Sequence, residues 1–451
     1  MIRARVIAII LPLAAALALF LWSRPMDQQI LDAQFRFLRA HVPRPAPNEV
    51  VIVGIDDATT RALPEPLTLW HPHLGAFLQA MAGSGAAAVG VDIVLPDRSF
   101  EAIVPGYDSH LLRGIVSAQR ALPLVLALTV DHAGKTRPVH ERFVFAAGGW
   151  DATGYALLPL ESDGVARRFD QRINVGGGAV PTLAGQIAAR LGRPAGHGLI
   201  DFATGKAFDY VPLHRVLEWQ AAGNAEKLRQ AFAGKPVLLG GVFRFEDRIP
   251  APVNLLAWEA EAADAPGVVL HAQVLRNLLN DGLIADVPAW VVPALAVFAA
   301  GAFWLAGNYA IAALLALGGG AALLVVSTWL LARGTYLPVA AILVTLLAAV
   351  GARMLYDATL RLQERHRLRH AFGAYVSPDI LADILRSDTP PGLGGERYWL
   401  CVLFADIRNF TARAERTTPD ATIQLLNRYF TEVTACIHGA GGTLDKFVGD
   451  G

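Results

Sequence analysis

Four long apolar runs stand out against a chain that otherwise mixes short apolar stretches with polar ones. They are "VIAIILPLAAALALFLW" (6–22), "AWVVPALAVFAAGAFWLAG" (289–307), "YAIAALLALGGGAALLVVSTWLLA" (309–332) and "YLPVAAILVTLLAAVGA" (336–352). Each approaches the roughly 20 residues that cross a bilayer as a helix. The first follows Arg3 and Arg5 and continues past its small residues into "LFLW" without a clean cleavage site, so it reads as an uncleaved anchor and not a signal peptide. The other three lie close together with no Asp, Glu, Lys or Arg inside them, which suits an anchor and relay better than a transport path.

Between the first run and the second, the pattern changes. "EVVIVGID" (49–56), "AAAVGVDIVL" (86–95), "LPLVLALTV" (122–130) and "KPVLLGGV" (235–242) predict buried strands. "HPHLGAFLQAMAGSG" (71–85) and "HAQVLRNLLNDG" (271–282) predict helices that stop at glycine. Buried strands alternating with helices imply an α/β layered domain over 25–287. After the fourth run, residues rich in Arg, Leu, Glu and Gln favour helix without a sustained heptad. Ser377, Pro378 and Asp379 form a helix start, "DTPPGLGGE" (388–396) is a breaker-rich linker, and a new domain opens near Tyr398.

The basic residues orient this plan. Arg3 and Arg5 precede the first run, and Arg353, Arg361, Arg365, Arg367 and Arg369 follow the fourth, so both ends belong on the cytoplasmic side of an inner cell membrane. The expected organisation is an anchor (1–24), an extracytoplasmic α/β domain (25–287), three transmembrane helices (288–353), a cytoplasmic helix and linker (354–397) and a final segment (398–451). Composition agrees: 54% of residues are hydrophobic and 17% charged, against about 25% charged in ordinary soluble proteins. A net charge of zero gives no reason to expect a nucleic-acid partner. Both cysteines, Cys401 and Cys436, lie in the final segment, so the exported domain relies on its core and not on disulfides.

Ligands of parallel sheets bind beyond the strand carboxyl ends, where Asp56, Asp57 and Asp92 fall. With no binding motif beside them, the simpler expectation is that Asp57 caps the helix begun by "ATTRAL" and that Asp92 is a satisfied structural carboxylate. In the final segment, "YWLCVLFADI" predicts a strand. "TPDATIQLLNRYFTEVTACIHGAGG" predicts a helix whose Ile423, Leu426, Phe430, Val433 and Ile437 form one apolar face, and "TLDKFVGDG" predicts a strand entering a hairpin turn. Asp406 and Asp450 then sit at the ends of two strands. If these are neighbours, their carboxylates suit Mg²⁺ or Mn²⁺ held with substrate phosphates. Two aspartates in turns carry little weight alone, because Asp is a common turn residue.

Two resemblances sharpen the picture. The ordered strings "VVIVGIDDATTRAL", "GAAAVGVDIVL", "DGVARRF", "GKPVLLGG" and "PGVVLHAQVLRNLL", followed by three spans, resemble the CHASE type 2 extracellular sensor over residues 25 to about 355. "FADIRNFT" with "DKFVGDG" resembles the class III nucleotide cyclase catalytic domain, an α+β ferredoxin-like fold. That resemblance implies that Asp406 and Asp450 bind two metal ions, Mg²⁺ or Mn²⁺, joined by the Ile407 carbonyl. It places Phe410 and Thr411 at the phosphate-binding turn, and Lys446 as the residue that selects adenine.

By the same resemblance, a homodimer would convert ATP to cyclic AMP and pyrophosphate, with each site shared between two chains. The family's second base-selecting residue, asparagine and transition-state arginine are expected beyond position 451, so the segment as given is expected to be incomplete and inactive. A guanylate-specific or inactive output is the alternative. A diguanylate cyclase is disfavoured because "FVGDG" does not match a GGDEF-like turn.

Overall fold

The computed structural model describes residues 23–193, 196–306, 308–372, 397 and 399–451. The first apolar run, the helix start at Ser377 and the linker 388–396 lie outside the described residues. The chain divides into two units, 23–350 and 351–451 as far as they are described, and each is taken by itself.

In the first unit a six-stranded, all-parallel sheet forms the frame. Its strands are β1 (Val51–Ile55), β2 (Ala88–Val91), β3 (Leu124–Leu128), β4 (Thr153–Tyr155), β5 (Tyr210–Pro212) and β6 (Pro236–Gly241). They lie in the order β4-β3-β2-β6-β1-β5. The four apolar runs read as strands are β1, β2, β3 and β6, trimmed by one to four residues at each end. Their side chains are buried almost throughout, as a parallel sheet covered on both faces requires. β6 enters between β1 and β2, Val237 opposite Val51 and Val89.

Helices cover both faces. On one, α1 (His71–Ser84) packs with α2 (Tyr107–Ala121) over Phe77, Leu111 and Leu239. The predicted stop of α1 is real: Gly85 is left-handed at φ 76°, where a side chain would be strained. Gly75 and Gly114 let the backbones of α1 and α2 touch, since a Cβ on Gly75 would lie 2.3 Å from the His110 carbonyl oxygen. On the other face, α3 (Leu183–Arg190) and the fully buried α4 (Gly267–Leu279) pack on Ile52, Val125 and Leu238. α4 begins four residues before the expected start at His271. Pro266 stands as the cap residue and Gly267 opens the helix.

A helix over 23–41, not anticipated from the sequence, leads into the sheet and buries Leu31, Phe35 and Leu38 in the α4-side core. Past the sheet, two helices are long and apolar enough to cross a membrane, Tyr309–Ala332 and Ala340–Arg367, and Val291–Leu305 is a shorter apolar helix. Four spans were expected. The second of those runs is interrupted at Gly301 and falls short of a full crossing among the described residues. The parallel ladder Ala285–Asp286 with Thr335–Tyr336 puts both ends of the intervening segment side by side, so this segment leaves the domain and returns to it.

In the second unit a 21-residue helix, α5 (Pro419–Gly439), realises the predicted amphipathic segment, with Pro419 in its first turn. The two flanking segments read as strands, 398–407 and 443–451, form no ladder among the described residues. A strand exists only through a paired neighbour, and neither segment meets one here.

Candidate functional site

The string "DGVARRF" builds the most concentrated polar constellation of the first unit. Asp163 accepts from the Val165 amide at 3.2 Å, and Gly164 takes a φ of 79° to close that turn. Arg167 leaves the turn only 1% exposed. Its Nε and Nη2 donate to the two carboxylate oxygens of Asp32 at 2.7 and 2.8 Å. Nη1 donates to Glu161 at 2.8 Å, and Nη2 to Asp163 at 2.7 Å. Burial alone would lower the Arg167 pKa, but the hydrogen bonds from Asp32, Asp163 and Glu161 outweigh it and hold the pKa above the usual range. A planar fork meeting three carboxylates is a contact only arginine makes.

Arg168 points the other way, as alternation along a strand dictates, and pairs bidentately with Asp286 at 2.7 and 2.9 Å. Asp286 is the residue that pairs with Tyr336. Two adjacent arginines thus hold both chain segments that lead toward the apolar helices: Arg167 the leading helix through Asp32, and Arg168 the exit strand.

The leading helix makes two further contacts of this kind. Gln34 Nε2 donates to Ser327 Oγ at 3.0 Å and Thr328 Oγ1 at 3.1 Å on the helix Tyr309–Ala332, and Ser327 in turn donates to the Leu337 carbonyl. Asp27 Oδ1 accepts the Ala340 amide at 2.8 Å, at the start of the helix Ala340–Phe372. Asp27, Gln28, Asp32 and Gln34 interrupt the apolar face of Leu31, Phe35 and Leu38. That break in an amphipathic pattern was the signal the sequence offered. What this junction can do is mechanical: a shift of the leading helix moves Asp27 and Gln34 against two apolar helices.

At the carboxyl ends of the strands, the expected roles change. Asp56, not Asp57, caps the helix Asp57–Ala62, its Oδ1 accepting the Thr59 amide at 2.7 Å. The cap residue must stand outside the helix in extended geometry, and Asp56 does so with φ −116°. Burial would raise its pKa, but hydrogen bonds from Thr59 and the Tyr210 hydroxyl, with the His214 charge, bring it below the ordinary value. Asp92 is not satisfied as expected: among the described residues its carboxylate accepts no hydrogen bond. Burial and the neighbouring Asp247 charge push it up to about 7. Asp247, itself raised by burial, sits at φ 51° with its carbonyl accepting the Gly267 amide at the start of α4.

In the second unit, the turn Val448–Gly451, closed by the Val448 amide on the Gly451 carbonyl at 2.8 Å, lies against Asp406. A Cβ on Gly451 would be 2.9 Å from the Ala405 carbonyl oxygen and 3.4 Å from Asp406 Oδ1. The turn that holds Asp450 therefore adjoins Asp406. Asp406 Oδ1 also accepts the Ile407 amide at 3.0 Å, and the Ile407 carbonyl accepts from Phe410 at 3.2 Å. Asn409, left-handed at φ 56°, turns the chain into the short helix Phe410–Ala414 that carries Phe410 and Thr411. Lys446 is exposed and its Nζ lies 3.3 Å from the Asp445 carboxylate, while Phe447 stacks on Phe430 of α5 at 4.0 Å. Lys446 and Phe447 thus meet different neighbours, although the segment is not a strand among the described residues. Among the described residues no group of three or more His, Cys, Asp or Glu side chains is placed to hold a metal ion.

The family comparison bears on the first unit. The CHASE2 domain profile matches residues 6–314, beginning with the first apolar run and ending within the helix Tyr309–Ala332, where the sequence had suggested 25 to about 355. Uncharacterized proteins of Mycobacterium tuberculosis and Mycobacterium bovis are 35% identical over 89 residues, 20% of this chain and 15% of theirs. The match thus spans only a small fraction of the curated relatives' length. No solved structure matches. With the profile covering well over half of its residues, the chain belongs to the CHASE2 domain family.

Proposed function

We propose that the chain is a membrane-anchored signalling receptor whose CHASE2 sensor faces away from the cytoplasm and controls an adenylate cyclase output in a homodimer. One observation supports the output: the turn holding Asp450 adjoins Asp406, so two of the donors expected for Mg²⁺ or Mn²⁺ come from neighbouring segments. Carboxylate and carbonyl oxygens suit such hard cations. Bound there with ATP, the metal would supply charge neutralisation at the phosphates.

The residues' own parts follow. Asp406 and Asp450 would hold the cation, Phe410 and Thr411 lie at the phosphate-binding turn, and Lys446 would leave Asp445 to meet the base. The apolar side chains of Trp399, Leu403 and Phe404 are exposed, which suits a segment that takes a sheet partner in an assembled catalytic domain. The second reading, a guanylate-specific or inactive output, keeps the same sensor and differs only at the base.

The test is cyclic AMP formation from ATP with Mg²⁺ or Mn²⁺, in membranes carrying the full-length protein. Activity is expected in that chain and its loss in Asp406→Ala and Asp450→Ala, since one carboxylate cannot hold two metals beside a triphosphate. Turnover near wild type in either variant would refute the assignment.

A further inference from the structure

A cleft of about 700 Å³ opens where the leading helix ends, between the proline-spaced segment Pro43–Pro47, the turn at Gly205 and Lys206, and the last turn of α4. Four cations line it, Arg39, Arg44, Lys206 and Arg276, against one carboxylate, Glu49. Their partners divide them. Arg44 pairs with Asp201, and Lys206 is 85% exposed and only 3.8 Å from Glu49, which Lys235 also approaches. Arg39 and Arg276 have no carboxylate partner among the described residues: Arg39 donates to the Phe202 carbonyl, and Arg276 to the carbonyls of Lys206 and Thr204 and the Gln273 side chain.

Arg276 is 4% exposed, lies on the Phe208 ring at 3.5 Å, and keeps its Nε without any hydrogen-bond partner. Gly205 is what lets the backbone reach this guanidinium, since a Cβ there would be 2.5 Å from Nη1 at a φ of 77°. Burial, and next the Arg39 charge, lower Arg276 to about 10, so it stays charged at neutral pH. Arg39 feels the Asp201 charge and Arg276 that of Glu49, but neither guanidinium is hydrogen-bonded to a carboxylate, and two like charges so held in a cleft open to solvent and walled by prolines form a site that an anion completes. Charged groups this poorly compensated are otherwise costly.

We infer that this cleft binds a phosphate group, held between the forks of Arg39 and Arg276 with Lys206 closing over it. Guanidinium forks match two oxygens of a phosphate, and the cleft has room for the group it is attached to. Arg44, on the cleft's wall, also donates to the Ala332 carbonyl at the end of the apolar helix Tyr309–Ala332, so the site borders a candidate span. The phosphate therefore comes either from a phospholipid headgroup or from a free phosphorylated solute. Occupancy would brace the end of the leading helix, upstream of any output, and the inference does not rest on the cyclase reading.

Two probes separate the sources, both applied to the whole chain in neutral detergent at matched ionic strength with chloride as baseline. Inorganic phosphate is followed by ³¹P line broadening, and phosphatidylglycerol by its retention in native mass spectrometry. The wild type is expected to bind at least one probe above chloride, and Arg39→Gln to weaken it about tenfold, the loss of one charge-assisted contact. Arg276→Lys, which keeps the charge and loses the fork, should weaken it as well. Lys206→Gln, on an exposed side chain, guards against misfolding. Binding of inorganic phosphate indicates a free solute, and retention of lipid alone indicates a headgroup. Neither probe binding, or equal binding by wild type, Arg39→Gln and Lys206→Gln, overturns the inference.

Discussion

Replacing Arg167 by methionine keeps a long side chain in the core and removes the charge that three carboxylates share. The fork is 2% exposed, while Asp32, Glu161 and Asp163 are 18, 22 and 37% exposed. Removing one partner of a buried ion pair costs ~3–5 kcal/mol because the remaining charge is uncompensated. The carboxylates here reach some water, so the lower end applies, ~3 kcal/mol. For a domain of this size that lowers Tm by about 6–12 °C.

The dependence on pH has a definite sign. The Arg167 hydrogen bond holds Asp163 below its ordinary pKa. A depressed carboxylate contributes stability that is fully present above the unfolded value, about 3.9, and is lost as pH falls through the folded value. The gap between wild type and Arg167→Met should therefore be full at pH 7 and shrink below about pH 4. Thermal melts of the whole chain in detergent, followed by tryptophan fluorescence from pH 3 to 8, read both. A shift below about 2 °C at pH 7, or a gap that widens on acidification, would refute the clamp.

Two other outcomes follow from the same unit. Asp92 has a raised pKa, so its effect runs the opposite way: folding is favoured at low pH, and stability declines from about pH 4 until the folded value near 7 is passed. Asp92→Asn should flatten that decline and melt higher than wild type at pH 8, and an unchanged pH profile would contradict it. Asp27→Ala removes the acceptor of the Ala340 amide, a cap worth about 1 kcal/mol. Amide exchange in the first turn of Ala340–Phe372 should then quicken, and wild-type exchange there would count against the contact.

The sequence revealed those features that depend on local pattern. β1, β2, β3 and β6 are continuous apolar runs, α1 ends at a glycine that must be left-handed, and α5 shows its face at spacings of three and four. What it hid depends on pairing at a distance. β4 and β5 have three residues each, too few for a period, and exist because β3 and β1 offer them an edge. The insertion of β6 between β1 and β2 is a tertiary choice. Arg167 and Arg168 stood in a recognisable string, but Asp32 and Asp286 lie 135 and 118 residues away, so their roles needed coordinates. Asp406 and Asp450 were legible as types in turns, yet the approach of Gly451 to Asp406 depends on how the chain folds back past α5.

We propose that the junction around the leading helix acts on the output through the helix Ala340–Phe372, by changing how two chains pair. Inserting one to seven residues after Leu362 tests this most directly, in the full-length protein, with cyclic AMP measured in membranes. Two inserted residues turn the rest of that helix by about 200°, and seven bring it nearly back into phase. The account predicts output that changes sharply at two and returns close to wild type at seven. A flat response across the series, or no cyclic AMP at any length, would contradict it.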